Sequence, residues 1–170
     1  MNAQDILVEH LREALRQLQR YLAAGLATAL SLVLLALAPA GPKAPIAVPV
    51  IAIAAEPYLV KNLLLAVYIG AGFLCYSAVL DARKIATRIT DKDIRAAAAS
   101  FPTVATSADR GLRLTGTLSP ALVFALFLAI DLYYAEARTL DKYLPLILFG
   151  VMPYAGAVYE VSQPLDADGA

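Results

Sequence analysis

Between Tyr58 and Leu80 the chain runs for 23 residues with a single charge, Lys61, close to its start. A helix rises about 1.5 Å per residue, and about 20 apolar residues cross the roughly 30 Å hydrocarbon core of a bilayer. Lys61 is near enough to the end of the run to extend its ammonium to the interface along its own methylene stem. Backbone amides inside hydrocarbon have no water to bond to, so such a run is expected to be helical.

Composition says that this run does not stand alone. Hydrophobic residues make up 60% of the 170 and charged residues 16%, with a mean hydropathy of +0.66. A soluble domain carries about 45–50% and about 25%, so the excess is too large to hide in a small soluble core. Tyr21–Ala38 contributes eighteen further residues without charge, and two more apolar runs lie near the C-terminus. The expected fold is an all-α integral membrane protein with four transmembrane helices, at about 21–39, 58–80, 117–135 and 143–160. Residues 1–20 form an N-terminal amphipathic helix at the cytoplasmic interface. Residues 81–116 form a cytoplasmic loop with a short helical connection, and 161–170 a disordered tail.

The N-terminal helix follows from periodicity. Leu7, Leu11, Leu15, Leu18 and Leu22 recur at steps of three and four and share one face. Asp5, Glu9, Arg12, Glu13, Arg16 and Arg20 cover the other, with Glu9–Arg12 and Glu13–Arg16 spaced for ion pairs. The leucine face suits packing in a bundle or at the interface; a coiled coil between copies is the sharper alternative. The helix is expected to run unbroken into the first span. A cleaved signal peptide fits poorly, because the preceding twenty residues hold three acids and the apolar stretch is long.

Prolines 39, 42, 45, 49 and 57 exclude a regular helix over 40–57. Ile46, Val48 and Val50 alternate, which points to a short extended flap on the membrane surface; a re-entrant loop is the rival and would need cover from protein or water. After the second span the helix is expected to continue through Asp81–Ile89. Thr90-Asp-Lys-Asp then reads as a capping box with Thr90 as N-cap, opening a helix over Asp91–Ala99 that ends before Phe101-Pro102. Ser107 and Asp109 mark a turn. Ser119-Pro120 is a helix-start signal, with an earlier start near Leu114 as the alternative. Pro153 inside the fourth span is expected to kink it.

Basic residues set the orientation. Segment Asp81–Leu118 carries Arg83, Lys84, Arg88, Lys92, Arg95, Arg110 and Arg113, half of the chain's 14. Arg12, Arg16 and Arg20 fall on the same side, and only Lys43, Lys61, Arg138 and Lys142 fall opposite. The positive-inside bias therefore puts both termini and the 81–116 loop in the cytoplasm, in the plasma or inner membrane. Arg83, Lys84 and Arg88 are candidate contacts for lipid headgroups.

Candidate functional residues are few. Asp131 is the acid set deepest in an apolar run, and an intramembrane ionisable group is a functional candidate by default. Phe124, Phe127 and Tyr134 share its face. If its helix starts early, Asp131 reaches the outer interface, where Lys61, Arg138 or Lys142 could pair with it; the alternative is ion or proton handling. Gly70 and Gly72, with Ala66, Ala71 and Ser77, form one expected helix-packing face, and Ala121, Ala125 and Ala129 another. Cys75 reads as a small core residue, His10 as solvated, and Glu56 as a helix-start acid. No phosphate loop, Ser/His/Asp set, paired-acid motif or Cys/His spacing occurs, so neither catalysis nor a cofactor or metal is expected. One cysteine precludes an internal disulfide, and zero net charge gives no overall basic field for nucleic acid. Two functional classes follow. One is a structural or accessory component of a membrane assembly, packing against copies of itself or a partner subunit, with a possible cytoplasmic partner at 90–116. The other is an oligomeric pore or membrane-permeabilising protein using the Asp131 face or the 40–57 flap.

Overall fold

A computed structural model of the chain describes residues 3–38, 46–48, 53–55, 57–99, 103, 106–107, 109–134 and 143–163. Helix α1 (Ala3–Leu37) is followed by strands β1 (Ile46–Val48) and β2 (Ile53–Ala55), then α2 (Pro57–Arg88), α3 (Lys92–Ala99), α4 (Arg110–Tyr134) and α5 (Leu144–Ser162). Helices α1, α2, α4 and α5 are each long and apolar enough to cross a membrane. The two strands pair antiparallel, with Ile46 opposite Ala55 and Val48 opposite Ile53. Strand β1 falls where the alternation of Ile46 and Val48 pointed to extended chain, and its pairing with β2 adds a hairpin to the otherwise helical fold. The rest of the 40–56 stretch, Glu56 included, and the tail beyond 163 lie outside the described residues.

Helix α1 packs against α2 and α4, and α5 packs against the same two, so the order around the bundle is α1–α2–α5–α4. The centre is filled across the α2–α4 diagonal by aromatic rings. Tyr68 of α2 stacks on Phe124 of α4 with centroids 4.3 Å apart, Tyr154 of α5 lies 5.2 Å from Tyr68, and Phe127 lies 5.7 Å from Phe124. These rings are fully buried, and the tyrosine hydroxyls are satisfied by carbonyls of other helices. Tyr68 donates to Pro120 O at 3.2 Å, and Tyr154 to Tyr68 O at 3.3 Å. Three glycines make the room. A Cβ at Gly25 would meet the Tyr154 hydroxyl, one at Gly150 the Phe124 ring, and one at Gly72 would come within 2.9 Å of Tyr154. The helices meet closely here because these positions lack side chains.

At about 1.5 Å per residue, α5 with its 19 residues is about 28 Å long, whereas α1 and α2, with 35 and 32, reach about 52 and 48 Å. The N-terminal part of α1 and the C-terminal part of α2 therefore extend together past one end of the bundle. There Leu11, Ala14 and Leu15 bury against Ala82, Ala86 and Ile89. The leucine face thus has its partner inside the chain, which corrects the coiled-coil alternative. The charged face carries a ladder in which Arg16 reaches Glu13 at 3.5 Å and Glu9 at 4.0 Å, and Arg20 reaches Glu13 at 3.9 Å. Helix α3 packs back on α1. Buried Arg95 holds it by donating Nε and a terminal nitrogen to Ile89 O at 3.0 and 2.6 Å, just past the end of α2.

Two helix starts differ from those expected from the sequence. The cap of α3 is Asp91, whose Oδ1 accepts the backbone N–H groups of Asp93 and Ile94 at 2.9 and 3.2 Å; Thr90 Oγ1 instead accepts from Gln4 Nε2 at 3.1 Å. Asp and Thr are both good caps, so sequence preference alone does not choose between adjacent ones. Helix α4 begins at Arg110 rather than at Ser119-Pro120, capped by Asp109 Oδ1 on Gly111 N and Leu112 N at 2.8 and 3.3 Å. Pro120 sits inside the helix, where it cannot donate to Gly116 O four residues back. Ser119 Oγ donates to that carbonyl at 2.8 Å. The Ser-Pro pair is thus a repaired interior position.

Candidate functional site: ion pairs at the two ends of the bundle

Lys61 lies one turn into α2 and Asp131 one turn from the end of α4. The two helices run in opposite directions across the bundle, which brings both residues to the same end. Lys61 Nζ meets Asp131 Oδ1 at 2.6 Å, with the side chains 31% and 20% exposed. Tyr143, just before α5, donates its hydroxyl to Asp131 Oδ2 at 3.2 Å. Each carboxylate oxygen thus has its own donor. The ammonium also lies 5.5 Å from the centroid of Phe127, within range of a cation–π attraction. Burial, the nearby Asp131 charge and the hydrogen bond to it all push the Tyr143 phenol above the ordinary tyrosine value, so it remains a donor at neutral pH. Of the cations expected as partners for Asp131, Arg138 and Lys142 lie outside the described residues. Sequence reasoning missed Tyr143; its one signal is a tyrosine placed immediately before the Leu144-Pro145 helix start.

At the other end Arg83 of α2 reaches Glu160 of α5. Its Nη1 donates to Glu160 O at 2.7 Å and lies 3.1 Å from Glu160 Oε2. This contact satisfies a carbonyl in the last turn of α5 and places a cation at the negative end of that helix's dipole. Of the three expected headgroup contacts, Arg83 therefore faces α5. Lys84 is exposed and only loosely near Asp81, at 3.9 Å, and Arg88 is exposed.

The expected helix-packing residues divide. Gly72 and Ala121 are buried in the bundle, and Gly72 lies against Pro153 and Tyr154. Gly70 has open space where its Cβ would be, and Ala125 and Ala129 are exposed. Within the bundle, α4 turns Phe124 and Phe127 inward and its Ala125 and Ala129 outward. Pro153 lies inside an unbroken α5. Cys75 is fully buried. Tyr134, expected beside Asp131, is exposed.

His10, Glu13, Ala14, Gln17, Asp81, Lys84, Ile85 and Arg88 line an open cleft of about 410 Å³ between α1 and α2. Among the described residues no group of three or more His, Cys, Asp or Glu side chains is placed to hold a metal ion. The arrangement pairs charges at two levels and keeps an aromatic, apolar interior between them. No family model matches the sequence, and neither a curated protein nor a solved structure matches it.

Proposed function

We propose that the chain is a multi-pass membrane protein acting as a structural or accessory component of a membrane assembly, by helix packing rather than catalysis. The spacing of its two ion pairs carries this reading. The 22 residue steps of α2 from Lys61 to Arg83 rise about 33 Å, close to the roughly 30 Å hydrocarbon thickness of a bilayer. Between those levels the outward surface is apolar: Val67, Phe73 and Leu74 on α2, Leu122 and Leu126 on α4, and Ile147, Leu148, Phe149 and Met152 on α5 are exposed. A water-facing surface of that kind would aggregate; a lipid-facing one is ordinary. The Arg83 end carries most of the basic residues and is the cytoplasmic end, with both termini, by the positive-inside bias.

Packing is favoured over a pore by what Asp131 does. It is engaged by Lys61 and Tyr143, and the bundle centre is closed by Tyr68, Phe124, Phe127 and Tyr154. A passage lined by Asp131 would require breaking that pair. The purified protein in liposomes tests the choice. Tight vesicles, together with self-association or a co-purifying subunit in mild detergent, support the assembly reading. Ion flux altered by Asp131→Asn would replace it with the pore, and a monomer with no companion chain would count against the assembly.

A further inference from the structure

We propose that the β1–β2 hairpin is an interfacial anchor, covered by the headgroup–acyl boundary of the leaflet at the Lys61 end rather than by a protein partner. This rests on the placement of α2 in a bilayer between its two ion pairs. The hairpin belongs to a stretch with no polar side chain: the twelve residues from Ala44 to Ala55 are all Ala, Pro, Ile or Val. With Ile46 opposite Ala55 and Val48 opposite Ile53, both faces of the ribbon are therefore apolar. Among the described residues the strands pack on each other rather than on a helix. A lone two-stranded ribbon is marginal in water and needs a further layer against it.

Three of the four possible surroundings conflict with this chemistry. Water would face an uninterrupted apolar ribbon. Hydrocarbon would face its edges: the sheet has two strands, so each leaves outward N–H and C=O groups unpaired, which lipid tails do not tolerate. A protein partner or second copy would find strands of three residues, about 10 Å long. That is far too small a footprint for the roughly 800 Å² per partner of a stable interface. Pro45 and Pro49, on either side of β1, also have no N–H with which to lengthen a ladder. The boundary between headgroups and acyl chains meets both needs, since water and headgroups bond the edges while apolar surface sinks among the first methylenes.

The connection to α2 sets the depth. Pro57 precedes Lys61 by four residues, about 6 Å of helix. Ala55 is two residues further, at most about 7 Å more. The hairpin is thus tethered within reach of the polar zone, which extends roughly 5–8 Å beyond the hydrocarbon. Tyr58 precedes Lys61 by three residues, and Tyr133 and Tyr134 follow Asp131 by two and three. All three rings therefore stand about 3–5 Å beyond the ion-pair plane, and all are exposed, as interfacial tyrosines are. Exposed Leu59 and Leu63 continue the apolar surface from the hairpin down α2.

The chain has no tryptophan, so a single introduced one reports its own surroundings. Val48→Trp, Ile53→Trp and Phe73→Trp, each in the full chain in liposomes, are read by quenching with lipids brominated at shallow or deep acyl positions and with aqueous iodide. Phe73 is exposed and lies 12 residue steps from Lys61, about 18 Å along the roughly 33 Å between the ion pairs, so it marks the midplane. Residues 48 and 53 should report depths of about 15–22 Å from the midplane, with partial quenching by iodide. A depth within about 10 Å of the midplane would make the segment re-entrant and overturn the proposal. So would full iodide access without lipid quenching, or shielding from both quenchers, the mark of a protein cover. Shielding of Cys75 from maleimide checks that each variant is folded. The two levels of failure are distinct. A deep residue 73 with residues 48 and 53 outside the boundary removes the anchor alone; a residue 73 that no brominated lipid quenches removes the bilayer position as well.

Discussion

Breaking the pair at the Lys61 end should destabilise the bundle by an amount that depends on whether both partners remain. Lys61→Met keeps the length of the side chain and removes the charge, leaving Asp131 Oδ1 without its 2.6 Å donor while Tyr143 still serves Oδ2. A hydrogen bond between charged groups contributes roughly 1.5–3 kcal/mol. Both side chains are under a third exposed, so we take about 2 kcal/mol, short of the roughly 3–5 kcal/mol for a fully buried broken pair because water still reaches this end. Asp131→Asn should cost about the same, since it leaves an ammonium beside Phe127 without its anion. The double variant should cost less than the sum, with a coupling of about 1–2 kcal/mol. Cys75 is the chain's one cysteine and is fully buried, so its maleimide labelling reports opening of the bundle. A loss of about 2 kcal/mol speeds that labelling about thirtyfold and lowers Tm by about 4–8 °C. Strictly additive single and double effects would show that the two groups do not interact, and the Lys61–Asp131 contact would then be wrong.

Other outcomes follow from the same packing. Gly25→Ala drives a methyl into the Tyr154 hydroxyl, which must give up its bond to Tyr68 O; about 1–3 kcal/mol of stability should be lost, read as faster Cys75 labelling. Gly70→Ala enters open space within a helix and should be neutral or stabilising by about 0.5 kcal/mol, read as unchanged or slower labelling. Arg95→Ala removes both donors to Ile89 O; amide exchange in α3 should accelerate at least about tenfold while the aromatic centre of the bundle stays protected.

Much of the helical scaffold is legible because it rests on run length and period. The apolar stretches mark the helices long enough to span, and the leucine spacing marks the buried face of α1. What the sequence does not carry are choices between locally equivalent options. Thr90 and Asp91 are both competent caps, and Asp91 takes the role while Thr90 is engaged by Gln4, 86 residues away. Ser119-Pro120 has the chemistry of a helix start; Ser119 Oγ repairs the gap at Gly116 O, so the helix runs through it. Small residues suggest packing surfaces wherever they recur, but which ones pack depends on where large rings sit. Gly72 and Gly25 face Tyr154, whereas Gly70, two residues along and so about 200° around the helix, does not. At the candidate site, Asp131 is visible as a misplaced acid in an apolar run. Tyr143 and Glu160 are not, because a tyrosine or glutamate at a helix end is common and only tertiary packing gives it a partner.

A four-span bundle with the Lys61 and Arg83 ends on opposite sides of a membrane underlies both proposals. Single cysteines placed by Ala44→Cys and Ser107→Cys in a Cys75→Ala background can be probed with a membrane-impermeant maleimide in right-side-out and inverted vesicles. Residue 44 should label only from the outer side, and residue 107 only from the cytoplasmic side. Labelling of both from one side, or of either equally from both, would overturn that arrangement.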